Sequence, residues 1–120
     1  MELQLKQINL DDWPELLNDE VVELSLVPTD ISRRRGIKFG TSEDSLDIFE
    51  GAVVIIEGRM VGLLSYPRGP VLGTTIVVEE GTFDVDLGVD QIKPILDALG
   101  VSREEVTWVR HVPTPRYFTR

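Results

Sequence analysis

The stretch "TFDVDLGVDQ", residues 82–91, sets Asp84, Asp86 and Asp90 around Gly88. Aspartates so spaced can offer oxygen ligands to a divalent cation. A calcium loop of the EF-hand kind also needs glycine at its sixth position and a bidentate glutamate at its twelfth. Those positions hold Val89 and Ile95, and the segment leading in reads as a strand rather than a helix. No metal is therefore expected. Alternation explains the stretch better: Phe83, Val85, Leu87 and Val89 interleave with Asp84, Asp86, Gly88 and Asp90, the period-two pattern of a strand with one face in a core. On that reading Asp84 and Asp86 face solvent about 7 Å apart. Asp90 caps the following helix, where its charge suits the positive dipole end.

Other reactive types are sparse. His111 is the single histidine, and there is no cysteine. One imidazole without thiolates makes a poor zinc site, and a general base needs an orienting partner. The serines lie in no "GxSxG" setting. "SYPRGPVLGTT" (65–75) carries glycines and Arg68 but lacks the spacing of either phosphate-loop pattern. Arg33, Arg34 and Arg35, with Lys38 close by, could hold an anion, as could Arg68; a solvated loop that offsets the acidic body is the alternative. No catalytic residue and no cofactor are assigned.

Charge narrows the partners. Twelve basic against twenty-one acidic residues give −9, which repels phosphate backbones and disfavours nucleic acid. No apolar run reaches the length of a membrane span, and the acidic, alternating N-terminus does not read as a signal peptide. A chain without cysteine fits the cytoplasm.

The elements that must position these residues follow from periodicity. "LQLKQI" (3–8) reads as a strand. Asp11 or Asp12 caps a helix that presents Trp13, Leu16, Leu17, Val21 and Leu24 and ends at Pro28. Residues 30–45 read as irregular, with a short strand at 37–39. A brief helix capped by Thr41 or Ser42 then carries Leu46, Ile48 and Phe49 as far as Gly51. "AVVIIE" and "MVGLLSYP" form a hairpin about Gly58–Arg59, a glycine-first turn of type II′, and "VLGTTIVVEE" is a further strand. A helix starting near Asp90 or Gln91 buries Ile92, Ile95, Leu96 and Leu99, with Pro94 in its first turn and Gly100 as its left-handed cap. Ser102 and Glu105 form a capping box ahead of a last strand, "VTWVRHV". The result is one α+β domain: an antiparallel or mixed sheet of about five to six strands with two main helices on one face.

Taken together, these features suit a non-enzymatic protein-binding or inhibitory module. In size and charge it is similar to immunity proteins that neutralise basic nuclease toxins, although no motif carries that analogy. Glu79, Glu80, Asp84 and Asp86 would steer a basic partner. Tyr117 and Phe118, in the arginine-bearing tail, either dock on the sheet or offer an arm to a second protein or a second copy. The alternatives are a small-ligand or enzyme pocket holding His111 and Arg68, and a homo-oligomeric structural subunit.

Overall fold

The computed structural model describes residues 5–8, 17–43, 48–67, 73–79, 81–83 and 89–110, with 5–8, 42, 43, 89 and 90 as backbone only. Its elements are β1 (Leu5–Ile8), β2 (Leu17–Leu24), α1 (Pro28–Arg35), β3 (Gly40–Glu43), β4 (Ile48–Ile56), β5 (Arg59–Ser65), β6 (Thr74–Glu79), α2 (Val89–Leu99) and β7 (Val106–Val109). Six strands run in the order β1-β4-β5-β6-β2-β7, and β3 also pairs with β4. Every pairing is antiparallel. β1 pairs with Val53–Ile56 and β3 with Ile48–Gly51, so two short strands meet successive halves of β4.

The sheet is α+β as its sequence suggests, with both helices on one face. Ile31 of α1 and Ile92, Ile95, Leu96 and Leu99 of α2 share one core with Val54, Val61, Leu63, Ile76 and Val78. At about 25 cal/mol per Å² of apolar surface removed from water, these side chains supply most of the drive to fold. Leu17, Val53 and Val77 form a smaller buried group on the other face. Residues 51–54 of β4 are buried without a break, which is why that run shows no alternation.

From Leu17 on, the first expected helix is in fact β2, while residues 11–16, with the expected cap and Trp13, lie outside the described set. The register of β2 with β6 shifts twice, between Leu17 and Asp19 and between Glu20 and Val22, and the second shift makes Val21 an extra, bulged residue. Val21 and Val22 both enter the helix-covered core as a result. The bulge breaks the period of two and spaces Leu17, Val21 and Leu24 by four and three, which imitates a helix. Leu17 belongs to the opposite face.

Pro28 does not close a helix but opens α1 at its first position, where the missing N–H costs nothing. Asp30 Oδ2 accepts the Val27 N–H at 3.2 Å, and Gly36 caps the far end at φ 68°. Residues 37–39 are not a strand; pairing begins at Gly40. The expected brief helix is not found among the described residues: Thr41 and Ser42 belong to β3, Ile48, Phe49 and Gly51 belong to β4, and residues 44–47 lie outside the described set.

The hairpin turn sits one residue earlier than expected. Ile56 pairs with Arg59, and the turn residues Glu57 and Gly58 have φ of 50° and 78°. Two positive values make it type I′, which matches the twist of the flanking strands. Beyond β6, the Thr82 N–H donates to the Glu79 carbonyl at 3.1 Å in a turn through Gly81. The expected strand at "TFDVDL" thus begins on turn residues, and from Asp84 on lies outside the described set.

α2 ends in a Schellman cap: the Val101 N–H reaches Leu96 O at 2.9 Å, and the Gly100 N–H reaches Asp97 O at 3.2 Å. Pro94 is the sixth residue of α2 rather than a first-turn residue. The Ser102–Glu105 pair does form, with the Ser102 N–H donating to Glu105 Oε1 at 2.9 Å ahead of β7.

Candidate functional site

Three elements converge at one end of the sheet: the β4–β5 turn, the end of β6 and the first half of α2. Between them lies a cleft of about 230 Å³. Its floor is apolar, made by Ile56, Val61, Val78, Pro94 and Ile95. Four of these continue the helix-covered core, so the cleft is a place where that core stays open to solvent. Polar groups of Glu57, Arg59, Thr82 and Gln91 stand around it, and Phe83 forms part of the wall. A second, more open hollow of about 330 Å³ shares Arg59 and Thr82 and brings in Met60 and Glu79.

The backbone accounts for the placement of each group. The I′ turn carries Glu57 at φ 50°, a left-handed conformation in which Asn, Asp or Gly is the usual choice. Glu57 is exposed and lines the cleft. Arg59 opens β5 and sets its guanidinium carbon 5.9 Å from the centre of the Phe83 ring, within cation–π range. Glu79 is the last residue of β6 and half-buried. Neither Glu57 nor Glu79 has an ion-pair partner among the described residues.

A separate polar cluster sits where α1 meets the end of α2. Arg34 Nη1 donates to Glu105 Oε1 at 2.7 Å and to Gly100 O at 2.8 Å, and its Nη2 donates to Glu105 Oε2 at 2.7 Å. Arg35 Nη2 donates to Asp97 O at 3.1 Å. The Arg34 hydrogen bond, then the Ser102 N–H, hold the Glu105 carboxyl down at about 2, against an ordinary 4.5. The same bond to Glu105 raises the Arg34 guanidinium above its usual range. A depressed carboxyl often marks a reactive site, but here the bidentate pair and the Ser102 hydrogen bonds account for it. Another ion pair, Arg110 with Asp19, is nearly buried and ties the end of β7 to β2.

The residues nominated from sequence fall out as follows. Glu79 borders the open hollow. Arg34 and Arg35 serve the contact between α1 and α2, and Arg33 beside them is exposed. Glu80, Asp84, Asp86, Arg68, His111, Tyr117 and Phe118 lie outside the described residues. Glu80 and Asp84 are nevertheless the immediate chain neighbours of Glu79 and Phe83. Glu57, Arg59, Phe83 and Gln91 escaped the sequence reading. Setting the turn one residue late made Glu57 a strand residue, although a glutamate ahead of Gly58 in a I′ turn is itself a signal.

Among the described residues, no group of three or more His, Asp or Glu side chains is arranged to hold a metal ion. No described helix is long and apolar enough to cross a membrane. Comparison with protein families, with curated proteins and with solved structures finds no match to this chain.

Proposed function

We propose that the protein is a non-catalytic binding module that takes up a basic segment of another protein at the cleft end of its sheet. The observation that carries this reading is a cleft of about 230 Å³ with an apolar floor, lined in part by Glu57 and adjoined by a hollow that Glu79 lines. Pockets for drug-sized ligands run to roughly 300–1,000 Å³; this one has room for a partner's side chain. Glu80, Asp84 and Asp86 are further acidic residues close by in the sequence, and among the described residues Arg59 is the one base lining either hollow. Complementary charge raises association rates and rejects acidic competitors. The cysteine-free chain agrees with a cytoplasmic setting.

Charge reversal tests the reading. Proteins captured by the wild-type chain are identified, and their affinities are measured against a Glu57→Lys/Glu79→Lys double variant shown to be folded by circular dichroism. The expected result is a loss of at least about tenfold for a basic partner, the scale of one or two charged contacts at an interface. Unchanged affinity for every captured protein removes this end of the sheet from the account.

A further inference from the structure

We infer that the group seated in this cleft is a long cationic side chain, lysine or arginine, with Glu57 as the residue that reads its charge. The inference rests on the binding-module reading and names the chemistry of the contact. Long basic side chains bury an aliphatic stem and keep a charged head in water. The cleft has the matching two-part form: Ile56, Val61, Val78 and Ile95 beneath, and acceptor-bearing Glu57, Thr82 and Gln91 around the mouth. A purely apolar anchor would leave the Glu57 carboxylate without a partner at the contact, and an acidic one would meet it as a like charge.

Arg59 opposes a cation in the same cleft, so its role has to be weighed. Its guanidinium lies over the face of Phe83, 5.9 Å from the ring centre, a contact that favours this position of the head group. Among the described residues the two hollows share this one guanidinium, with Glu57 lining the first and Glu79 the second. Charge balance therefore favours a cationic guest, with Arg59 as a brake on affinity. Glu57 adds an independent argument through its backbone. A glutamate at φ 50° is strained where asparagine is favoured, so removing its carboxylate through Asn relieves the turn. Binding and stability should then move in opposite directions.

The test uses three peptides that differ at one central position, lysine, norleucine or glutamate, in a flanking sequence of alanine and leucine. They are titrated into isotopically labelled protein and followed at the backbone amides of Gly58, Val61, Gln91 and Ile95. The lysine peptide is expected to bind about tenfold more tightly than the norleucine peptide, with arginine in place of lysine giving a similar result. Glu57→Asn should abolish that preference while the protein unfolds at an equal or higher temperature. Arg59→Gln should tighten the lysine peptide severalfold.

Equal binding of lysine and norleucine peptides overturns the inference, as does tighter binding of the glutamate peptide with loss in Arg59→Gln. No saturable shift at these amides with any peptide overturns it as well. If captured partners still depend on Glu57 and Glu79 while lysine and norleucine bind alike, the binding-module reading stands and the lysine or arginine assignment falls.

Discussion

Glu105 joins three parts of the molecule, two through its carboxylate and one through its backbone carbonyl. It takes both guanidinium nitrogens of Arg34 from α1, the N–H of Ser102, and the Ser102 hydroxyl at 3.1 Å. Its backbone carbonyl also accepts the Ser25 N–H at 2.8 Å. The depressed carboxyl pKa gives the direction of the pH dependence. The folded chain holds Glu105 at about 2, whereas an unfolded chain titrates it near the ordinary 4.5. Between those values the unfolded state binds the extra proton, so stability falls as the solution is acidified. The contribution is complete above pH 4.5 and disappears as the pH drops through 2. Its size is moderated by water, since the side chains of Arg34 and Glu105 are 39% and 21% exposed. Glu105→Gln is expected to lower the urea midpoint at pH 7, and the gap from wild type should close on going from pH 5 to pH 2. A gap that stays constant with pH would mean that the ion pair adds nothing beyond the shape of the side chain.

At the level of elements, what the sequence conveyed depended on whether a local pattern had a single cause. α2 was legible because its apolar spacing, its glycine cap and its burial all agree. The β4–β5 hairpin was legible as a hairpin but not in its turn type, because Glu57 and Gly58 both take positive φ. β2 was misread because a bulge and a position between β6 and β7 produced helix-like spacing from a strand. No local rule reveals such a bulge; only the paired strands define it. α1 was hidden for a related reason. With Pro28 and Ile31 as its buried residues, it lacks the apolar stripe by which helices are recognised.

Gly73 shows the same dependence on a distant strand, and a prediction follows from it. Its φ is 126°, and a Cβ there would lie 2.1 Å from the Leu24 carbonyl oxygen, which is backbone and cannot swing aside. Around it, Ser65 Oγ donates to Gly73 O at 2.7 Å and Thr74 Oγ1 donates to Leu26 O at 2.8 Å. The ends of β2 and β5 and the start of β6 are thus joined at one point. Gly73→Ala is expected to cost at least about 3 kcal/mol, from strain and overpacking together, and to lower the unfolding temperature accordingly. Gly81→Ala is a control for positive φ alone, since nothing lies within 4 Å of its added Cβ. Equal losses in the two variants would show that the contact with Leu24 is unimportant.

Across the whole molecule, the chain order of the strands separates local from distant assembly. β4, β5 and β6 follow one another and pair as neighbours, whereas β2 must reach β6 and β7 across most of the chain. The Ser25–Glu105 backbone bond alone spans 80 residues of sequence. Fold class was readable from composition and turns, because tight turns between successive strands imply antiparallel pairing. The candidate cleft was not, because Ile95 of α2 meets Ile56, Val61 and Val78 of the meander only once the helix has packed on the sheet. Loop-closure entropy delays such distant pairings until nearer ones have formed. The β4–β5–β6 meander is therefore expected to form the folding nucleus, with the β2–β7 pairing added late. Val54→Ala and Val109→Ala make a matched test, since both remove two methyl groups from buried positions in the same core. Each should cost roughly 1–3 kcal/mol. In stopped-flow measurements Val54→Ala should act mainly by slowing folding, and Val109→Ala mainly by speeding unfolding. The reverse assignment would place the nucleus at the β2–β7 edge. It would also mean that the end of the sheet carrying the cleft is completed last.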